Sequence, residues 1–225
     1  MTELARSSKK QRTGQASDEG ASMTVSRVPY QTAARTLLRD TVLGAVDELI
    51  RSRGWAATTM SDVAAAAGVS RQTLYNEFGS RPALVEAYVT REIETLIGRV
   101  TEAVRANAAD AHAALRTAFA LFLELASDEP VVQLIVNDAE GGELHRLLTG
   151  LGQALASDRI ARLIPEVWPQ VSAADGRLLA ESLVRLAISH ALLPGHDPAV
   201  TARGVGRMFA PFVDQLLAGR RPVRR

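Results

Sequence analysis

The segment from Thr58 to Leu84, TTMSDVAAAAGVSRQTLYNEFGSRPAL, decides the predicted fold. Thr59 and Asp62 have the spacing of a capping box at a helix start, and Gly68 stands where a helix can end with positive φ. Ser70 can cap a second helix directly after the turn. Two short helices joined by a glycine-containing turn are typical of a helix-turn-helix, whose second helix enters the DNA major groove.

The second helix is predicted over about 71–77. Leu74 and Phe78, four residues apart, face inward. The outward positions carry polar and aromatic side chains, which are Arg71, Gln72, Thr73, Tyr75 and Asn76. Gln72 and Thr73 come early in this helix, where a Gln can form two hydrogen bonds with adenine and a Thr methyl can meet a thymine methyl. The alternative for each is a solvated surface residue.

These residues resemble the TetR family of bacterial transcriptional repressors. The resemblance lies in GWAATTMSDVAAAAGVS (Gly54 to Ser70), TLY (Thr73 to Tyr75), Phe78 and the helix start from Arg81 to Leu84. It implies an all-α fold, with an N-terminal three-helix DNA-binding domain and a larger C-terminal helical domain for effector binding and dimerisation.

Two positions depart from the family pattern. Glu77 stands where the family often has His or another aromatic residue, and it would place an acidic group near DNA. Arg81 and Pro82 replace the usual Lys and acidic residue; the pair keeps a cation, and Pro suits a first helical turn. Cations, hydroxyls and helix N-termini in this segment favour phosphate contacts; the predicted phosphate-contacting residues are Thr59, Ser70, Arg71, Tyr75 and Arg81.

Charge and composition define the division of the chain. Residues 1–81 carry 11 Lys and Arg against 8 Asp and Glu, whereas residues 82–219 carry 11 against 17. We predict a basic disordered arm over 1–34, the DNA-binding domain over 35–81, the helical effector-binding and dimerisation domain over 82–219, and a basic tail over 220–225. The arm either touches DNA or is a passive tail. The absence of Cys fits a reducing cytoplasm, and no apolar run predicts a membrane span.

The last two helices are the clearest of the larger domain. One is predicted from a capping box at Ser172 and Asp175 to about Leu193, and the final one after Asp197. In one protomer the pair could simply close the core. The resemblance implies instead that both helices pair with their copies in a homodimer, which would bind a palindromic operator in double-stranded DNA. The predicted interface residues are Leu179, Leu183, Val205, Met208, Phe209, Phe212, Val213 and Leu216.

The resemblance also implies a small-molecule effector cavity in the larger domain. Its apolar character, and a likeness of Ser70 to Arg81 to members associated with lipid or alkane metabolism, favour a hydrophobic effector. The alternative for each lining residue is ordinary core packing. The predicted lining residues are Phe119, Phe122, Leu123, Leu134, Asn137, Trp168, Leu186 and His190.

Enzymatic motifs are absent from the sequence. It contains no G-x-S-x-G, H-E-x-x-H, P-loop or dinucleotide fingerprint, and its four His residues are scattered. No catalytic residue, metal site or cofactor is therefore predicted. A DNA-binding regulator or activator without an inducer is the main alternative, and a helical enzyme is a distant one.

Two substitutions separate the predicted roles. Gln72→Ala should relax base preference, because Gln72 is predicted to read a base edge. Arg81→Ala should weaken binding to all sequences alike and flatten its salt dependence, because a phosphate contact carries no sequence information. Binding to a set of duplexes at several salt concentrations measures both. If both variants merely lose stability, the roles are wrong.

Overall fold

A computed structural model of the chain describes residues 30–128, 132, 146–193 and 195–218. Within these residues the structure is helical throughout, with no strand. This confirms the predicted all-α fold. The predicted tail, most of the predicted arm and a short helix predicted over 131–137 lie outside the described residues, apart from the helical Val132.

Three short-range caps shape the N-terminal head, which comprises α1 (Tyr30–Arg53), α2 (Met60–Ala66) and α3 (Arg71–Phe78). Thr59 and Asp62 form the predicted capping box of α2. Gly68, with φ of 66°, makes the turn, and the Ser70 side chain accepts a hydrogen bond from the Thr73 N–H at the start of α3. The sequence signals for the helix-turn-helix therefore correspond to real hydrogen bonds.

The first helix begins at Tyr30, inside the segment predicted as the arm. Residues 30–34, assigned to the arm from the sequence, are therefore helical. Residues 30–37 are all exposed, so this extension buries no apolar face and leaves no hydrophobic period to detect.

A long helix, α4 (Arg81–Ala106), connects the head to the rest of the molecule. Its 26 residues span about 39 Å at 1.5 Å per residue. The first half is buried in the head core at Leu84, Val85, Tyr88 and Val89, all with 0% exposure. The second half faces the C-terminal helices, so one rigid element belongs to both parts.

In the described residues, the C-terminal body contains α5 (Ala111–Asp128), α6 (Gln153–Val167), α7 (Ala173–Leu192) and α8 (Pro198–Leu217). A π-helical turn, Leu148–Gly152, precedes α6. The caps predicted at Ser172 and Asp197 are present. No helix in the described ranges has the length and hydropathy needed to cross a bilayer.

Pro165 lies inside α6, where a proline usually ends or kinks a helix. The helix continues to Val167, and the Trp168 N–H donates to the Ile164 carbonyl at 2.8 Å. Gly176 of α7 makes room for the proline ring, because a β-carbon there would lie 3.4 Å from Pro165 Cδ and from Ile164 Cγ2. Close packing against α7 therefore accompanies a proline that would otherwise predict a break.

Two glycine-to-alanine substitutions test how closely α8 packs against α5. A β-carbon at Gly206 of α8 would lie 2.7 Å from Arg116 Cγ, whereas one at the exposed Gly98 of α4 would meet nothing within 4 Å. Gly98→Ala should raise the free energy of unfolding by about 0.5–1 kcal/mol, as expected for an open helical site. The free energy of unfolding of Gly206→Ala should be lower than that of Gly98→Ala by about 1 kcal/mol or more, because the Arg116 side chain must move to make room. Denaturant unfolding at one protein concentration measures this; equal stabilisation by both substitutions would rule out the close approach.

Candidate DNA-binding surface and interior cavity

The exposed face of α3 carries the predicted base-reading residues. Arg71, Gln72 and Asn76 are exposed and Tyr75 is 41% exposed, whereas Leu74 and Phe78 are buried. Gln72 Nε2 donates to Asn76 Oδ1 at 2.8 Å, so these two side chains are ordered together one helical turn apart. An amide pair held this way offers both donors and acceptors, which base edges in the major groove require.

Thr59, Ser70 and Thr73 are engaged in caps. The Thr59 hydroxyl and N–H both donate to Asp62, at 2.6 and 2.9 Å, and these hydrogen bonds hold the pKa of Asp62 below its ordinary value. The Ser70 and Thr73 hydroxyls lie 2.8 Å apart, and Thr73 is half-buried. These hydroxyls therefore shape the helix starts that meet DNA, and Thr73 has less freedom to reach a base than Gln72 has.

Arg81 has a different environment from the one the sequence predicted. Its Nη2 donates to the Trp55 carbonyl at 2.7 Å and its Nε to the Thr58 carbonyl at 3.1 Å. Its guanidinium also lies over the Trp55 ring, 4.1 Å from the centroid. Arg81 thus joins the start of α4 to the loop before α2, and its charge is held against carbonyl oxygens and a ring of the head.

Glu77 is mostly buried and is bound to two arginines of α1. Its carboxylate accepts hydrogen bonds from Arg35 Nε at 2.9 and 3.0 Å and from Arg39 Nη1 at 2.7 Å. Burial by itself raises the pKa of Glu77, but the hydrogen bonds from Arg39 and Arg35 outweigh it and bring the pKa below the ordinary 4.5. The side chain therefore fastens α3 to α1.

A polar contact at the junction also joins α1 to α4. The Tyr88 hydroxyl donates to Asp47 Oδ1 at 2.8 Å, and Arg91 Nη2 donates to the Leu43 carbonyl at 3.2 Å. Because Tyr88 is fully buried, its hydrogen bond lies in the interior between α1 and α4 and holds these two helices together.

The described helices of the body surround a partly open cavity of about 170 Å³. Its described lining comes from α4, α5, α6, α7 and α8 and from Val132, Gly152, Trp168 and Val171, and all of these lining residues are apolar. α4 contributes Ile93, Leu96, Ile97, Val100 and Val104. That stripe has helical spacing and is visible in the sequence, but the sequence prediction took no lining residue from α4.

The predicted cavity residues divide into three groups. Phe119, Phe122 and Trp168 line the cavity. Leu123, Leu186 and His190 do not: Leu123 is buried core, Leu186 packs in a neighbouring cluster, and the His190 ring stands edge-on to Phe119 with centroids 6.2 Å apart. Leu134 and Asn137 lie outside the described residues.

The residues predicted for a dimer interface lie mostly inside the protomer. Leu179, Val205, Val213 and Leu216 are buried, while Leu183, Phe209 and Phe212 are half-buried. Of the predicted set, only Met208 is largely exposed, at 62%, and the unpredicted Leu178 is 55% exposed. The apolar residues of α8 are covered by α5 and α7 of the same protomer. Apolar residues at helical spacing show that a face is buried but not what buries it.

Metal-binding chemistry is not supported in this part of the chain. Among the described residues, no group of three or more His, Asp or Glu side chains could hold a metal ion. Within the same described ranges, two features have functional geometry, the exposed face of α3 and the apolar cavity. Together they are typical of a helix-turn-helix DNA-binding protein with a separate apolar binding space.

Comparison with known proteins places this protein in a family. Residues 42–88 match the family model of the bacterial regulatory proteins of the tetR family, and residues 110–211 match the model of the bacterial tetracyclin repressor C-terminal domain. The HTH-type transcriptional regulator AlkX of Mycobacterium tuberculosis is 36% identical over 194 residues, which cover 85% of this chain and 92% of that protein. The chain belongs to the TetR family of DNA-binding transcriptional regulators and is not an enzyme.

Solved structures agree with this assignment. The TetR-family repressor AlkX from a Dietzia strain, implicated in the biodegradation of n-alkanes, superposes with a TM-score of 0.68 at 35% identity, over 80% of this chain and 96% of that one. The Thermus thermophilus repressor FadR, solved in complex with lauroyl-CoA, has a TM-score of 0.51 at 24% identity over 83% of this chain and 96% of that one, which shows the fold alone.

The Arg81 contacts change the prediction for Arg81→Ala. The substitution should lower the free energy of unfolding by about 2 kcal/mol, since it removes two charged hydrogen bonds and a cation–π contact. The salt dependence of DNA binding should change little. Arg71→Ala, which removes an exposed cation from the first turn of α3, is the control. It should leave the free energy of unfolding nearly unchanged and flatten the salt dependence of DNA binding. Thermal unfolding and salt titrations of DNA binding measure both effects. If Arg81→Ala flattened the salt dependence and left the stability unchanged, Arg81 would be a phosphate contact after all.

The Glu77 ion pairs predict an acid-dependent loss of stability. Because the folded-state pKa of Glu77 lies below the ordinary 4.5, its contribution is complete above that value and is lost as the pH falls through the folded-state pKa. Glu77→Gln should therefore be less stable than wild type at neutral pH, and the difference should vanish in acid. Unfolding of the two proteins across this pH range measures the difference. A gap of constant size down to the lowest pH would contradict the ion-pair role.

Proposed function

We propose that this protein is a repressor that binds a palindromic operator as a homodimer and is released by a hydrophobic small molecule held in the interior cavity. The observation that carries the proposal is that α4 serves both sites. Its first half lies in the head core, and its second half forms one wall of the cavity. A change in cavity occupancy therefore acts on the helix that orients α3.

The chemistry of the wall supports a hydrophobic effector. Every described lining residue is apolar, and the indole N–H of Trp168 is already donated to the Ala108 carbonyl at 3.0 Å. A charged group placed against this wall would lose its hydration without gaining a partner, at a cost on the order of several kcal/mol. A hydrocarbon chain or ring loses nothing there. The Dietzia repressor implicated in n-alkane biodegradation points to the same ligand class.

Release follows from linkage between the two sites. If the effector binds more tightly to the head orientation that fits DNA poorly, DNA must weaken effector binding by the same factor. Tyr88 with Asp47, and Arg91 with the Leu43 carbonyl, hold the orientation of α4 against α1. A movement of α4 would therefore be transmitted to α1 through these hydrogen bonds.

A homodimer supplies the second head that a palindromic site requires. The exposed apolar residues Leu178 of α7 and Met208 of α8 support an interface on these two helices. The inward residues of the predicted set would then act indirectly, by holding the two helices in place. A footprint that covers one unrepeated half-site would count against the dimer.

Filling the cavity tests the effector proposal. Ala156 of α6 lines the cavity, whereas Ala154, two residues earlier on the same helix, is exposed. Ala156→Leu should weaken effector binding by about tenfold or more, because added methylenes occupy the ligand space and overpacking costs about 1–3 kcal/mol. Ala154→Leu should bind as wild type does.

The measurement is release of a selected operator duplex, with thermal stabilisation of the free protein as a second reading. The probes are a linear alkane, the matching alcohol and fatty acid, and an aromatic hydrocarbon. Release by a hydrocarbon from wild type and Ala154→Leu, but not from Ala156→Leu, supports the proposal. Operator binding that no probe changes would favour a regulator or activator without an inducer.

A further inference from the structure

One cluster of charged side chains lies at the edge of the DNA-binding surface. Arg35 and Arg39 are one turn apart on α1, and Glu77 is the residue after Asn76 on α3. The Glu77 side chain is 10% exposed, and both of its oxygens accept hydrogen bonds from these two arginines. The cluster carries two positive charges and one negative charge, so one positive charge remains uncompensated.

The two arginines are held differently. The Arg39 guanidinium lies over the Phe78 ring, 4.8 Å from its centroid, with Nη1 bound to Glu77. Arg35 meets Glu77 only through Nε, and its side chain is 65% exposed. Within the described part of the chain, its terminal amino groups have no recorded partner. Arg35 is therefore anchored at the inner end of its guanidinium, while its outer end remains free to donate.

This arrangement has the form of a prepared phosphate contact. A guanidinium can donate two parallel hydrogen bonds to phosphate oxygens through its terminal nitrogens. An unrestrained arginine loses rotamer freedom when it binds, and a side chain already held in place loses less. Residues 30–37 are exposed along α1, so nothing in the described structure covers the outer end of Arg35.

We propose that Arg35 contacts a DNA phosphate beside the recognition helix and that Glu77 is the positioning residue that holds Arg35 for this contact. The inference rests on the DNA-binding role of α3 and adds a contact from α1 to it. Glu77 itself stays turned away from DNA, because both of its oxygens are occupied by arginines. The opposite role would be masking, in which Glu77 competes with phosphate for Arg35.

The test is a double-mutant cycle with Arg35→Gln, Glu77→Gln and both together, in the full-length chain. Arg162→Gln is the matched control: Arg162 is 67% exposed and pairs with Asp158 on α6, so its loss removes the same charge far from the head. Affinity for one duplex, selected from random DNA by the wild-type protein, is measured over a range of salt concentrations. Thermal unfolding of each variant is followed in parallel.

Arg35→Gln should reduce affinity on the order of tenfold and lower the magnitude of the salt slope by about 0.9 for each head bound. Arg162→Gln should leave the salt slope unchanged. The loss caused by Arg35→Gln should be larger when Glu77 is present than in the Glu77→Gln background, since positioning requires Glu77. A role in folding alone would shift thermal unfolding without changing the salt slope.

Three results would overturn the inference. Arg35→Gln could match Arg162→Gln in salt slope, which would exclude the phosphate contact. Its effect could be smaller with Glu77 than in the Glu77→Gln background, which would show masking instead of positioning. Failure of the wild-type chain to select any duplex would overturn the regulator function itself, and with it this contact.

Discussion

The packing of the first half of α4 against α1 is the constraint on which the rest of the structure depends. Leu84, Val85, Tyr88 and Val89 are removed from solvent there, and burial of side chains of this size stabilises by about 1.5–3 kcal/mol each. Tyr88 adds a hydrogen bond to Asp47 inside this apolar layer. Without this layer, the head core of α1, α2 and α3 would lose the apolar side chains that α4 contributes, and the cavity would have no direct connection to the head through α4.

Charged side chains of the head divide between structure and surface in a way that residue type does not reveal. Arg81 and Glu77 both look available for DNA in the sequence, yet each is bound to other parts of the head. Arg81 satisfies backbone carbonyls of the loop before α2, and Glu77 joins two helices. The outward charge is supplied instead by residues with few internal partners, such as Arg71 and the outer end of Arg35.

Sequence patterns predicted the features that arise from local physics. The capping residues Thr59, Ser70, Ser172 and Asp197 and the turn at Gly68 act within a few residues along the chain, and all were found in place. Features that depend on distant partners were missed or misassigned. The spacing of apolar residues on α8 predicted a buried face but not that α5 covers it. The start of α1 at Tyr30 was missed because its first residues show no apolar periodicity. The Glu77 contact spans 42 residues of sequence, which no local pattern encodes.

The uniform wall of the cavity has a consequence for selectivity. A site that hydrogen-bonds its ligand rejects analogues that lack one polar atom, whereas an apolar wall discriminates by size and shape, at about 0.8 kcal/mol for each buried methylene. Across a homologous series, affinity would then climb in even steps until the available length is filled and fall beyond it. If the proposed hydrophobic effector binds there, the described wall, with its aliphatic and aromatic surface, would select it by length more than by functional group.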